Sequence, residues 1–368
     1  YSIFVNLDKF INDSSLTFGT DSYLGDTEDV EDFIQSYLEE GRQMPREGTY
    51  LLPYMKSTEI MIYNLSICRE LLKISDPTFN AEKTEEYMRN ITWEGLMNLA
   101  TIALNNKSKF PSLQYPVYYD SDSNLFITQL YQRGIGYSSI DANGSGVIDF
   151  ESGENLTAAK SMVESLKQSH DAGLITTKGT EGTYASNNFK EMKTIFSIGS
   201  TGGTGYTIPS TGDFDVGFAK VPTMGSDASK QKYISQGPSI CFLHNPSLSE
   251  DENNAKLKYA WKFAKYITSK EVNTELCVAG SEGYSPVRNS CYTTETYTDF
   301  IETPSSYRDA ALITQNDING AYFNSAVFAG SATLREQVGG IITEVFRNKS
   351  NIDSAFSAAI SNTKKDIK

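Results

Sequence analysis

The chain has 368 residues, more than a single hydrophobic core usually serves, so two domains are the expectation. A formal net charge of -14 argues against nucleic acid, whose phosphates demand a basic surface, and no stretch reaches the ~20 apolar residues of a membrane span. Two histidines supply little for histidine catalysis, and four cysteines with neither CxxC spacing nor histidines at zinc distances argue against a zinc site.

The opening YSIFVNLDKFIND reads as mid-domain, an apolar strand end and a helix start where a leader would stand, so the chain is expected to be a truncated or processed piece. Apolar residues three and four apart predict helices over 28–40, 64–73, 92–105, 156–172, 253–268, 270–279 and 332–347. Between them, 59–63, 115–119, 194–198, 215–219 and 239–243 read as strands, an alternation that indicates α/β layers with parallel strands covered by helices.

Local chemistry sharpens several of these elements. Thr92 is placed to cap the helix it opens, with Glu94 in the first turn at the positive end of the dipole. Trp93 then reads as a packing residue, and Trp261 falls in register with Leu257, Ala264 and Ile267 on a core face. His170 ends a helix, where a cation suits the dipole, and His244 marks a strand end. Cys68 and Cys241 lie in apolar stretches and read as small buried hydrophobes, whereas Cys277 and Cys291 can bridge in an oxidising location.

Residues 141–151, DANGSGVIDFE, imitate a calcium loop through Asp141, Asn143, Ser145, Gly146 and Asp149. The twelfth position is Ser152 instead of the closing glutamate, so the stretch reads as a hairpin turn at Asn143-Gly144. The run FSIGSTGGTGY at 196–206 holds four glycines, two threonines and two serines at the end of a strand. It has neither the Lys-Ser/Thr pair of a P-loop nor a helix directly after its glycines, and Pro209 follows, so phosphate and dinucleotide readings are weak. Alone it is equally a strand-terminating turn.

Six segments, YLLPYMKSTEIMIYN (50–64), ITWEGLMNLA (91–100), FKEMKTIFSIGSTGG (189–203), DVGFAKVP (215–222), YISQGPSICFL (233–243) and AWKFAKYITSKEVNTELCVAGSEGYSPVRNS (260–290), follow one another in an informative order. In that order and spacing the chain resembles the extracellular solute-binding proteins of bacterial ABC importers, the group with maltose- and glycerol-3-phosphate-binding proteins. The resemblance covers most of the chain. It implies a two-lobed α/β periplasmic-binding-protein-like fold (type II) that closes over a solute. Lobe one would take 1–56 plus 241–300 and lobe two 57–240 plus 301–368, with crossings near 50–57, 237–242 and 298–304. By that template roughly 80 residues of lobe one precede Tyr1.

The resemblance also implies a cleft lined by Tyr54, Tyr206 and Tyr284 as stacking or hydroxyl groups, by Ser57 and Thr58 at the first crossing, and by Gln236 and Gly237 at the second. Ser200, Thr201, Gly202 and Gly203 would bring hydroxyls and bare backbone to a hydroxylated solute, and Asp122 and Asn124 would stand on another cleft loop. Glycerol-3-phosphate binders bring an arginine from the segment that here reads NSAVFAGSATLRE (324–336), and its only arginine, Arg335, is expected on the solvent side of the following helix. A neutral carbohydrate or polyol is therefore the expected ligand, with glycerol 3-phosphate or a glycerophosphodiester as the alternative. Neither a cofactor nor a metal is expected. The partners implied are the small-molecule solute and the permease subunits of an importer, for a protein that is monomeric, extracellular, and periplasmic or lipid-anchored at the cell surface. A glycan-acting enzyme and a ligand-free adhesion or signalling module are the rival readings, and no pair of carboxylates is singled out for catalysis.

Overall fold

The computed structural model describes residues 3–210, 212, 214–279 and 283–367. Its largest sheet is mixed and has five strands, β1 (Glu59–Asn64), β2 (Val117–Tyr119), β3 (Ile175–Thr177), β4 (Phe196–Ser200) and β5 (Val216–Lys220), in the order β3-β2-β4-β1-β5. β2 runs parallel to β3 and β4, and β1 runs antiparallel to β4 and β5. Every residue of β1, EIMIYN, is buried, as befits a central strand covered on both faces.

The chain's main helices include α1 (Leu65–Lys73), α2 (Trp93–Asn105), α3 (Asp122–Arg133), α4 (Gly153–Asp171), α5 (Glu250–Ile267), α6 (Lys270–Val278), α7 (Ser331–Phe346) and α8 (Ile352–Lys364), of which α5 and α6 lie outside the core of this sheet and the others pack around it. Their starts follow cap chemistry. Thr92 Oγ1 accepts the Gly95 N–H at 3.1 Å, and Ser249 with Glu252 forms a reciprocal capping box at the head of α5. α7 packs against both α3 and α8. Residues 138–140 and 146–148 pair as the hairpin expected of DANGSGVIDFE, with the Asp141 carboxylate accepting the N–H groups of Asn143 and Ser145.

Two apolar cores form. The larger surrounds the five-stranded sheet and draws on residues between Ile60 and Ala359. The second gathers Phe10, Phe18, Phe33, Phe242 and Val287 around Trp261, whose ring stacks on Phe10 at 5.2 Å and whose Nε1 donates to the Leu16 carbonyl at 2.6 Å. Trp93 is likewise a packing residue, buried and donating to Gln132 Oε1 at 3.0 Å. His170 lies in the last turn of α4, its ring between Tyr115 and Phe346 and its Nδ1 2.9 Å from the Ile175 carbonyl.

Some expectations need correction. Residues 28–40 do not form one helix but short turns at Val30–Asp32, Gln35–Leu38 and Glu39–Arg42. Phe33 breaks the run by going extended, bridging to Arg288 and burying its ring under that guanidinium 4.0 Å away. Residues 239–243 do not form one strand, pairing at Ser239–Ile240 and again in a lone bridge from Leu243 to Phe4, and Cys241 is exposed while Cys68 is buried. Cys277 and Cys291 are buried and not joined to each other in a disulfide, and burial pushes the Cys291 thiol up to about 11.

Between the cores, Leu52–Pro53 lies antiparallel to Ser239–Ile240, and Ser57 continues the pairing with Gln236. Gly237 makes this close approach possible, because it has φ +94° and a Cβ there would stand 2.3 Å from the Met55 carbonyl oxygen. A second link follows Glu295–Glu302, which packs on α6 before the chain enters Ser306–Leu312 beside β5. Gly237→Ala should therefore cost on the order of 1–3 kcal/mol through the clash and the disallowed backbone. Urea denaturation checks it, and an unchanged midpoint would show that the two segments do not need this contact.

Candidate functional site

Because β2 and β4 are parallel neighbours their C-terminal ends emerge together, and antiparallel β1 brings its first residue to the same edge, Glu59 opposite Ser200. Ligands of open α/β sheets collect at such carboxyl ends. Here a cavity of about 750 Å³ opens, within the range of small-molecule sites. Glu59, Asp120, Asn124, Ser200, Gln236 and Arg335 line it, together with a wall from residues 178–190 that includes Lys178, Tyr184 and Lys190.

Glu59 forms the floor. Its carboxylate accepts hydrogen bonds from the Tyr119 hydroxyl and, at 2.6 Å, from Asn124 Nδ2, while Asn124 Oδ1 accepts from Arg335 Nη2. Burial outweighs these donors and raises the Glu59 carboxyl to about 7. Asp120 follows β2 and accepts the Ala185 N–H at 2.7 Å, and burial lifts its carboxyl to about 6. Near neutral pH Glu59 is thus about half protonated, whereas Asp120 is mostly an ionised acceptor. Lys178 sits 3.8 Å over the Tyr184 ring, and the rings of Tyr184 and Tyr206 are 55% and 63% exposed along the cavity.

Five residues anticipated from the sequence meet here: Asn124, Ser200, Gly203, Tyr206 and Gln236. The other eight lie behind or beside the wall. Thr58 Oγ1 donates to the Ile234 carbonyl at 2.7 Å, Ser57 pairs through its backbone with Gln236, and Thr201 is buried, its N–H on the Thr58 carbonyl. Tyr54 receives Asn273 Nδ2 on its carbonyl, and Gly237 fills the crossing described above. Tyr284 packs on Gly202, its ring 3.3 Å from where a Cβ would project. Asp122 is turned inward, accepting from Thr177 Oγ1 at 2.6 Å, the Gly179 N–H at 2.8 Å and Thr343 Oγ1 at 2.9 Å. Asp122 and Asn124 stand on helix α3 and not on a loop, because Ser121 Oγ caps that helix through the Asn124 N–H.

The glycine run has a different explanation at each position. A Cβ at Gly199 would come within 2.8 Å of the Asp120 carboxylate, and one at Gly205 within 2.1 Å of the Tyr307 hydroxyl, so these two make room for side chains. Gly203 has nothing within 4 Å and presents bare backbone to the cavity. Arg335 also departs from expectation. It faces the cavity instead of solvent, since Asn124 of α3 holds its guanidinium across the α3–α7 contact. Glu59, Asp120, Lys178, Tyr184 and Lys190 are additions that sequence reasoning does not reach. Only Glu59 carries a signal, a carboxylate heading an otherwise apolar strand.

A family model described as bacterial extracellular solute-binding protein matches residues 7–304. The chain belongs to that family. Solved structures with the same fold include UgpB from Mycobacterium tuberculosis in complex with glycerophosphocholine, at 16% identity and TM-score 0.66, covering 99% of this chain and 79% of that one. The GacH receptor of Streptomyces glaucescens GLA.O, solved unliganded and with acarbose, aligns at 16% identity and TM-score 0.63, covering 99% of this chain and 78% of that one. The sugar-binding protein MalE from Xanthomonas citri aligns at 13% and 0.66, with 99% and 79% covered. No curated protein matches the chain by sequence. The fold is the two-lobed one these proteins share. No helix among the described residues is long and apolar enough to cross a membrane.

The raised Glu59 carboxyl makes stability depend on pH with a definite sign. Protonation is favoured in the folded state, so the contribution is complete below the ordinary value of 4.5 and is lost as pH rises through about 7. Its size is roughly 3 kcal/mol. Urea midpoints should fall between pH 5 and pH 8, and Glu59→Gln should flatten much of that fall. An equally steep decline in the variant would contradict the assignment.

Proposed function

We propose that the protein is the solute-capturing component of an ABC importer and that it holds a carbohydrate or polyol in the cavity at the ends of β1, β2 and β4. The observation that carries this reading is the composition of that cavity. Hydroxyls of Ser200 and Tyr206, the open backbone of Gly203 and the Asp120 carboxylate offer mixed donors and acceptors, which is what a polyhydroxylated solute requires. Gln236 Oε1 adds a buried acceptor that has no partner among the described residues, and a solute hydroxyl would satisfy it. Exposed rings at Tyr184 and Tyr206 supply flat faces for sugar rings.

The lobe division is part of the same proposal, with 1–56 plus 241–300 closing on 57–240 plus 301–368. It is supported by the two separate cores and by the paired crossing at Leu52–Pro53 and Ser239–Ile240. Gly202, which touches Tyr284, would then sit where the halves meet. The ligand contacts anticipated at Tyr54, Ser57, Thr58, Thr201, Gly237 and Tyr284 belong to the closed state in this reading. Capture without turnover is proposed as well, because both Glu59 oxygens are engaged by Tyr119 and Asn124. The protein would act as a monomer outside the cell, in the periplasm or on a lipid anchor, and deliver its solute to permease subunits.

A thermal-shift screen of sugars, polyols and glycerol phosphates tests the function. A true ligand at a hundredfold excess over Kd stabilises by about 2.7 kcal/mol, and Tyr206→Ala should weaken that ligand about two- to tenfold. No shift with any compound would favour a ligand-free module. New reducing ends on incubation with oligosaccharides would overturn capture in favour of hydrolysis.

A further inference from the structure

The chain is acidic overall, with 46 carboxylate residues against 32 lysines and arginines, yet its cavity reverses that balance. Three cations line it, Lys178, Lys190 and Arg335, and two carboxyls, Glu59 and Asp120. Among the described residues neither Lys178 nor Lys190 has an ion-pair partner within 4.0 Å. Lys178 rests on the Tyr184 ring at 3.8 Å, and Lys190, at the end of the Ala185–Lys190 helix, is exposed along the cavity wall. Buried lysines elsewhere in the protein do find carboxylates, as Lys56 does with Glu40 at 2.8 Å and Lys265 with Asp21 at 2.6 Å.

Resting on the solute-binding reading above, we propose that the solute carries an anionic group, a phosphate or a carboxylate, and that Lys178 and Lys190 of the 178–190 wall receive it, with Arg335 adding positive charge from α7. Arg335 lines the cavity and donates one N–H to Asn124 Oδ1, a single bond for a guanidinium with five donors. The lysines are the free charges, and charge-assisted hydrogen bonds to phosphate or carboxylate are their strongest use. The two carboxyls offset this field only in part. Burial leaves Glu59 about half neutral at neutral pH, and Tyr119 and Asn124 occupy its oxygens. Asp120 is mostly ionised there and offsets one cation, with its carboxylate bound to the Ala185 N–H, so three cations still outnumber the negative charge. The hydroxylated part of the solute would face Ser200 and Gln236, away from the anionic end.

Matched sets test this by calorimetry on the full chain: neutral hexoses and glycerol, the hexuronates, and the hexose and glycerol phosphates, at low and high salt. At least one anionic compound should bind about tenfold or more tightly than its neutral counterpart, and that advantage should shrink as salt screens it. Tighter uronates identify a carboxylate, tighter phosphates a phosphate. The double substitution Lys178→Gln with Lys190→Gln should collapse the anionic-to-neutral ratio, with the ligand-free melting curve reporting whether the variant is folded. The salt series on the unsubstituted protein separates the same outcomes without relying on that variant. A neutral compound binding as tightly as its charged counterparts, or a ratio untouched by salt and by the double substitution, would overturn this proposal alone. Absence of binding by every compound would overturn the solute-binding reading with it.

Discussion

The cavity and the sheet edge that forms it are arranged around the burial of a carboxylate, Glu59, at the head of a central strand. Glu59 is 2% exposed and begins a strand whose other residues are all buried. An unpaired charge there would be prohibitive, so the surroundings must either neutralise it or bond it. They do both. Tyr119 comes from the strand two places away in the sheet and Asn124 from the helix that follows that strand, and the proton is held to about pH 7. The geometry that satisfies Glu59 is the geometry that draws the ends of β1, β2 and β4 and the first turn of α3 into one pocket.

The same stretch of chain also ties the two cores. Residues 52–57 pair with 236–240, and two residues later the backbone becomes β1. A rotation of the crossing would therefore be felt at the cavity floor within a few residues, and at Gln236, which belongs to both the crossing and the cavity. This direct coupling is a physical basis for closure over a solute, since hinges of this kind concentrate backbone change in a few residues at element ends.

Much of the fold is legible in the sequence because its signals are local. Thr92 with Gly95, the period of Leu257, Trp261 and Ala264, and the apolar run of β1 need only neighbours in sequence. What is not legible depends on partners far along the chain. Phe33 leaves a helical pattern because Phe18 and Arg288 offer it a better burial, and Arg335 turns inward because Asn124, over two hundred residues earlier, is there to hold it. The start of α3 escapes sequence reasoning although Ser121 is an ordinary capping residue, because DSDSN also reads as a loop. In the glycine run the pattern points to the right strand end. It does not distinguish glycines that clear space for Asp120 and Tyr307 from the one that bares backbone to the cavity.

The most direct test is a crystal structure of the protein with the best solute from solution screening. The account predicts density in the cavity within hydrogen-bonding distance of Ser200, Gln236 and Arg335, with Glu59 still bonded to Tyr119 beneath it. Solute density elsewhere, for example in the smaller groove beside Tyr37 and Tyr292, with the Glu59 cavity empty, would contradict it.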